Sequence, residues 1–156
     1  MMFKTHFALS ILIALLIIIF FGIPNKIIFV FIIMASSSFP DIDSGKSKIG
    51  RKFTIISKII NMFFGHRKFF HSVFPALILF LIFIYFNMFY LGLAVFIGYL
   101  THLLGDSITN EGIMHLYPIS KFNISSILKT GSFTEFILFL IFSLLDVVLI
   151  SRIYYI

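Results

Sequence analysis

The chain contains no cysteine and few charged residues, and these two absences narrow its class. Without cysteine, neither a disulfide nor a thiolate metal site can form. Charged residues make up only 12% of the 156 positions, whereas soluble domains carry about 25%. Hydrophobic residues reach 60%. The composition therefore predicts an integral membrane protein, short enough to form a single membrane-embedded domain over residues 1–156.

Five apolar segments predict an all-α, polytopic membrane protein with about five transmembrane helices. They are Phe7 to Gly22, Ile27 to Phe39, Ser72 to Phe86, Phe89 to Leu104 and Phe136 to Ile150. Several are shorter than the roughly 17–25 residues that usually cross a bilayer, and the length of the second leaves open whether it crosses fully. We expect the first segment to be an uncleaved helix, because no small-x-small cleavage site precedes Lys26. A mostly apolar stretch, Phe53 to Phe64, predicts a helix lying in the membrane interface.

Basic residues are distributed very unevenly between the two ends of these segments. With five spans, only Lys26 and Arg152 fall on one side. The other side carries Lys4, Lys46, Lys48, Arg51, Lys52, Lys58, Arg67, Lys68, Lys121 and Lys129. Since basic loops stay in the cytoplasm, we expect the N-terminus and both long loops there, in an inner (plasma) membrane protein. The formal charge of +6 then reflects topology and contact with membrane lipids, and we expect no nucleic-acid partner.

The same topology places most of the histidine and acidic residues on the cytoplasmic side. They are His6, Asp41, Asp43, His66, His71, His102, Asp106, Glu111 and His115. Ionisable side chains are costly near lipid, so a converging set of them indicates a functional site. This argument does not use the lysines and arginines that set the topology, and the two arguments agree.

The spacing of these residues favours a metal site. His102 and Asp106 are four residues apart, which places them on one face of a helix. Asp41 and Asp43 follow Pro40 in a turn, where one can bind metal while the other hydrogen-bonds a ligating histidine. The predicted ligands are His6, Asp41, His66, His71, His102 and Asp106. Nitrogen and oxygen ligands without thiolate suit zinc, manganese or iron, and we expect one or two ions, with zinc favoured.

Each residue taken alone also has an ordinary structural explanation. Asp41 and Asp43 are common turn formers, and Glu111 and His115 are equally compatible with solvated positions at the membrane surface. Asp146, inside the fifth segment, is expected to have a packing or interfacial role. These explanations account poorly for the joint set.

An ordered set of motifs resembles a known family. The motifs are Thr5-His6, Pro40-Asp41-Ile42-Asp43, Gly65-His66-Arg67, His71-Ser72, and Gly98, His102, Asp106, Thr109, Gly112 and Pro118 in order. Together they resemble the membrane-bound metal-dependent hydrolases typified by YdjM. A more distant likeness is to zinc-dependent phospholipase C and the P1-type nucleases, whose zinc ions are bound by His and Asp from several helices. Here no histidine follows His115 to complete their later His-xxx-Glu pair, and their ligating N-terminal amine has no evident counterpart.

The resemblance implies a metal-dependent hydrolase in which metal-activated water attacks an ester or phosphoester. The position of the site at the membrane surface suggests a phospholipid or a lipid-linked phosphate, although another small-molecule substrate stays open. Asp43, Arg67 and Glu111 are the expected catalytic residues, with Arg67 as a clamp for phosphate oxygens.

Two alternatives from other classes remain at this stage. One is a metal-ion transporter, which would place its ligands near the bilayer midplane rather than at the ends of the spans. The other is a non-catalytic scaffold stapled by metal, whose site would be closed to water. The missing His-Glu-xx-His motif disfavours an intramembrane metalloprotease.

Overall fold

The protein is described by a computed structural model over residues 1–45, 47–65 and 67–155, apart from the side chains of Phe64, Tyr154 and Tyr155. Its helices are α1 (Phe3–Phe21), α2 (Lys26–Ser37), α3 (Lys48–Lys52), α4 (Thr54–Phe64), α5 (Val73–Tyr85), α6 (Phe89–Ser107) and α7 (Phe133–Tyr155). Short 3-10 turns cover Pro40–Asp43 and Phe69–His71. Among these described residues there is no β-strand, and β structure is limited to isolated β-bridges. The predicted all-α fold is confirmed.

The apolar helices differ in length. By length and composition, α1, α6 and residues 133–153 of α7 are able to cross a membrane, with 19, 19 and 21 residues. The other two, α2 and α5, have 12 and 13 residues and fall short of the roughly 17 needed for a span. The structure therefore has three helices long enough for a full span and two shorter apolar helices, where the sequence predicts about five spans.

Small residues on α6 bring the helices into close contact. A Cβ atom at Gly98 would lie 2.2 Å from Ser36 Oγ and 2.4 Å from the Ile33 carbonyl oxygen of α2. A Cβ atom at Gly92 would lie 2.8 Å from Phe83 Cβ of α5. Glycine at these positions lets the backbones approach, which is how helices associate where lipid supplies no hydrophobic drive. As a result α6 packs against both short helices, α2 and α5.

The starts of α1 and α7 and the C-terminal end of α6 lie together at one side of the bundle. The N-termini of α1 and α7 are joined there by Glu135, whose fully buried carboxylate accepts hydrogen bonds from the backbone N–H of Met2 (2.5 Å) and Gly131 (2.6 Å). The C-terminal end of α6 meets the start of α1, where Asp106 contacts His6. This shared end carries the polar residues that concern us below, and we call it the polar end.

Helix α4 agrees with the predicted interfacial helix. Its apolar side chains Ile55, Met62 and Phe63 are exposed, and Ser57 faces inward. Asn61 Nδ2 donates a hydrogen bond to the Asp43 carbonyl oxygen (3.0 Å), which fixes α4 against the first 3-10 turn. An amphipathic helix of this kind can lie with its apolar face against lipid at the polar end.

Single-cysteine variants test the arrangement of the ends, because the natural chain has no cysteine. Lys26→Cys lies at the exposed start of α2, and Lys121→Cys in the exposed loop after α6. We expect an impermeant maleimide added to intact cells to label only Lys26→Cys, because the basic polar end should face the cytoplasm. A reporter fused after Ile156 should face away from the cytoplasm. Labelling of both cysteines from one side, or a cytoplasmic reporter, would contradict the arrangement.

Candidate metal centre

A cluster of buried histidine and aspartate side chains lies at the polar end. It is assembled from four segments: His6 comes from α1, Asp41 from the first 3-10 turn, His71 from the second, and His102 and Asp106 from the last turns of α6. Asp41 is partly exposed, and the other four are buried. These are five of the six predicted ligands, and the structure brings them together. The sixth, His66, lies outside the described residues.

The Asp106 carboxylate stands at the middle of this cluster. Its Oδ1 atom lies 3.2 Å from His6 Nε2, and its Oδ2 atom lies 3.4 Å from His102 Nε2 and 3.5 Å from His71 Nε2. The amino group of Met1 donates to Oδ1 as well (2.7 Å). The two carboxylate oxygens thus face different sets of ligand atoms.

Three of these atoms form a nearly equilateral triangle. His71 Nε2 and His102 Nε2 are 3.4 Å apart, and each lies 3.4–3.5 Å from Asp106 Oδ2. Two atoms bound at about 2.1 Å to one tetrahedral zinc ion are separated by about 3.4 Å. Asp41 Oδ1 lies 3.9 Å from both histidine nitrogens, on the partly exposed side. The donor set and its spacing therefore fit a zinc-sized ion held by nitrogen and oxygen.

Two overlapping groups of side chains could each hold a metal ion. One contains His6, His102 and Asp106, and the other contains Asp41, His71 and His102. His102 belongs to both groups, and a single nitrogen binds one ion at a time. Asp106 offers a separate oxygen to each side, so a carboxylate bridge is the way in which this arrangement would accept two ions.

Asp43 supports the cluster from behind. Its side chain is fully buried, and its Oδ2 atom lies 3.2 Å from His71 Nδ1, the ring nitrogen that faces away from the cluster. The backbone N–H of Arg67 donates to the same oxygen (3.0 Å). A carboxylate in this position sets the orientation and tautomer of a ligating histidine. The sequence left the division of roles between the two aspartates open, and the structure places Asp41 toward the ligand atoms and Asp43 behind His71.

Two residues that the sequence did not single out hold the histidines in place. Gly105 lies against the His6 ring, and a Cβ atom there would come within 2.8 Å of both His6 Cε1 and Nδ1. The His6 ring also stacks on the His102 ring, with centroids 4.2 Å apart. Tyr99, fully buried, donates from its hydroxyl group to the Phe70 carbonyl oxygen (2.5 Å) and so fixes the turn that carries His71. The sequence offered one signal for these roles, which is position on α6. Gly105 is next to Asp106, and Tyr99 lies three residues before His102.

Arg67 and Glu111 lie at the rim of the cluster. Arg67 Nη2 is 3.9 Å from Asp106 Oδ2, and Nη1 forms an ion pair with Glu111. The Arg67 side chain is 23% exposed and that of Glu111 is 57% exposed. The rim therefore carries one guanidinium group that reaches both solvent and the central carboxylate.

The remaining histidine stands apart from the candidate ligand groups. His115 lies in the loop after α6, and its Nε2 atom forms a hydrogen bond with Ser107 Oγ (3.0 Å). Partial burial lowers the pKa of this imidazole below its ordinary value. Neutral imidazole is the form that this environment favours.

Comparison with known proteins places these features in a family context. The family described as YdjM inner membrane protein matches residues 1–155. The Bacillus subtilis protein YvsG, described as uncharacterized, is 42% identical over 98 residues, which cover 62% of this chain and 61% of that protein. The Escherichia coli inner membrane protein YdjM is 35% identical over 91 residues, which cover 51% of this chain and 43% of that protein. The match thus spans about half of these relatives' length. No solved structure matches the chain.

Alanine at either helix-borne ligand should remove bound metal. We expect purified wild-type protein to hold about one or two equivalents of zinc, manganese or iron, and the His102→Ala and Asp106→Ala variants to hold much less. Elemental analysis of detergent-purified protein measures this. His115→Ala is the matched control, because this histidine belongs to neither candidate group. Equal metal content in wild type and both ligand variants would contradict the assignment.

Gly105→Ala tests the site without removing a ligand. The added methyl group would displace the His6 ring, so we expect zinc affinity to fall about tenfold, as for other groups that orient ligands. Competition with a chromophoric chelator gives the affinity. Gly45→Ala is the control, since its Cβ atom would meet only Ser57 Oγ at 3.7 Å. Unchanged affinity in Gly105→Ala would show that His6 does not depend on this close approach.

Proposed function

Because the chain belongs to the YdjM inner membrane protein family and carries this cluster, we propose that it is a membrane-bound metal-dependent hydrolase. Its substrate would be an amphiphile with a phosphoester, such as a phospholipid or lipid-linked phosphate, cleaved at the cytoplasmic face. The observation that carries the proposal is the triangle of His71 Nε2, His102 Nε2 and Asp106 Oδ2, spaced as ligands of one tetrahedral ion.

A divalent ion held there would activate water at neutral pH and offset the negative charge of a phosphoester. The partly exposed position of Asp41 favours a catalytic role for this ion over a purely structural role. Asp41 lies 3.9 Å from the histidine nitrogens and its side chain is 25% exposed, so the side of the triangle nearest to Asp41 is partly open to solvent. A catalytic site needs such an open position, whereas a structural site is closed by protein ligands on all sides.

The rim supplies a group suited to phosphate. The Arg67 guanidinium lies beside the cluster and is partly exposed, and its planar fork matches two phosphate oxygens. Glu111 is its present partner, and an anionic substrate would take that place. In this scheme Arg67 binds and orients the substrate, and Glu111 neutralises the guanidinium until the substrate arrives.

Asp43 has an orienting role in the same scheme. Its Oδ2 atom lies 3.2 Å from His71 Nδ1, where a carboxylate favours the tautomer whose opposite nitrogen directs its lone pair at the cluster. The fully buried position of Asp43 removes it from the reacting atoms. We therefore propose that Asp43 positions His71 rather than acting directly on substrate.

The position of the site in the fold favours this function over transport. The ligands come from the first turns of α1, the last turns of α6 and two turns outside the apolar helices. Transport sites usually lie near the bilayer midplane, at broken helices. A site at one end of the bundle is instead within reach of lipid headgroups.

Hydrolysis by reconstituted, zinc- or manganese-loaded protein tests the proposal. Vesicles would carry a lipid phosphomonoester, a lipid phosphodiester or a lipid-linked diphosphate, and released phosphate or headgroup would be measured. We expect turnover of at least one substrate, lowered at least 100-fold in Asp106→Asn and 10–100-fold in Asp43→Asn. Ser151→Ala, exposed near the far end of α7, is the control. Stoichiometric metal without turnover of any of these substrates would favour the metal-stapled scaffold.

A further inference from the structure

A second polar site lies on the opposite side of α1 from the metal centre. A groove of about 330 Å³ runs between α1 and α7, and it is lined by Lys4, Phe7, Ile11, Lys48, Ser143 and Asp146. His6 faces α6, whereas Lys4, two residues earlier, faces α7; at 100° per residue these positions are about 200° apart. The groove is therefore separate from the cluster described above.

The mouth of the groove carries two lysines without acidic partners among the residues that the structure describes. Lys4 Nζ stands 4.9 Å from the centre of the Phe136 ring and 5.1 Å from that of Phe139. Lys48 Nζ stands 4.5 Å from the centre of the Phe3 ring. Both side chains are exposed. Two cations held over aromatic rings at the membrane surface leave their charge available for an anionic group.

The deeper part of the groove carries a carboxyl group that needs a partner. Asp146 is only 6% exposed, and its Oδ1 atom makes no hydrogen bond within the described part of the chain. It lies seven residues beyond Phe139 on α7, about 10 Å along the helix. A polar group at this depth in a membrane is costly unless it is satisfied. An occupant with a hydrogen-bonding group well below its anionic end would satisfy this carboxyl group.

An apolar cavity adjoins the groove and extends it along α1. It has a volume of about 480 Å³, shares Ile11 with the groove, and is also lined by Leu15, Ile18, Val30, Ile150 and Ile153, and by Lys26 at the start of α2. Its walls come from α1, α2 and α7, all among the apolar helices of the bundle. Along α1, the surface of the groove is thus cationic at its mouth and polar at Asp146, and the adjoining cavity is apolar.

We propose that the α1–α7 groove binds one anionic phospholipid. The phosphate would lie between Lys4 and Lys48, an ester carbonyl oxygen of the glycerol region would accept a hydrogen bond from the protonated carboxyl group of Asp146, and an acyl chain would fill the adjoining apolar cavity. A phospholipid combines an anionic end, oxygen-rich groups beneath it and long apolar chains in the order that the groove requires. The bound lipid would also join α7 to α1 below the contacts made by Glu135.

A tryptophan introduced into the groove reports on this binding, because the natural chain has none. The Phe139→Trp variant would be reconstituted in vesicles of phosphatidylcholine that contain brominated phosphatidylglycerol or, separately, brominated phosphatidylcholine. We expect stronger quenching by the anionic lipid at position 139. At Leu81→Trp, on the exposed face of α5, both brominated lipids should quench equally.

Charge variants in the Phe139→Trp background identify the determinants. Lys4→Ala with Lys48→Ala should lower the affinity for the anionic lipid about thirtyfold, as expected for two lysines near a membrane surface. Lys121→Ala with Lys129→Ala removes the same charge from an exposed loop and should have little effect.

Asp146→Leu should weaken binding several-fold, whereas Asp146→Asn, which keeps a hydrogen-bonding group, should retain it.

Metal content serves as the folding control for every variant, since the groove residues do not contribute to either ligand group. Equal quenching by the two lipids at position 139 would overturn the proposal. An anionic preference that survives loss of Lys4 and Lys48 in metal-replete protein would overturn it as well. The first result would mean that bulk lipid or a second protein helix covers the groove.

Discussion

The burial of one carboxylate, that of Asp106, is the constraint on which the polar end of the molecule depends. Burying an isolated carboxylate away from water costs several kcal/mol of folding free energy. The fold must therefore surround it with cationic groups, or with imidazole groups that bind a cation together with it. It does so with His6, His71, His102 and the Arg67 guanidinium, which come from segments far apart in the sequence. The same carboxylate therefore joins the helices and supplies oxygen atoms to both sides of the candidate metal site.

Close helix packing makes this convergence possible. Glycine at positions 98 and 105 removes the side-chain atoms that would otherwise hold α2 and the His6 ring away from α6. Between helices in lipid, where hydrophobic burial contributes little, such close approach and polar contacts provide much of the association energy. The small residues of α6 therefore serve the bundle and the site together: Gly98 allows close packing against α2, and Gly105 leaves room for the His6 ring.

Helix α1 carries two different surfaces, and this organises the rest of the chain around it. One surface presents His6 to α6 and the 3-10 turns, and the other presents Lys4, Phe7 and Ile11 to α7. The first has the chemistry of a metal site and the second that of a site for an anionic amphiphile. Both lie toward the polar end, where Glu135 holds the starts of α1 and α7 together. A substrate and a bound lipid would thus approach from the same membrane face on opposite sides of one helix.

Properties that depend on neighbouring residues were determined by the sequence alone. Apolar segment lengths identified the helices, and the four-residue spacing of His102 and Asp106 placed both on one face of α6, because helix geometry relates residues within a few turns. Only the tertiary structure decided that Asp43 lies behind His71 and that Gly105 packs on His6. Those contacts join residues 28 and 99 positions apart, and they follow from how the helices pack, which no local periodicity encodes.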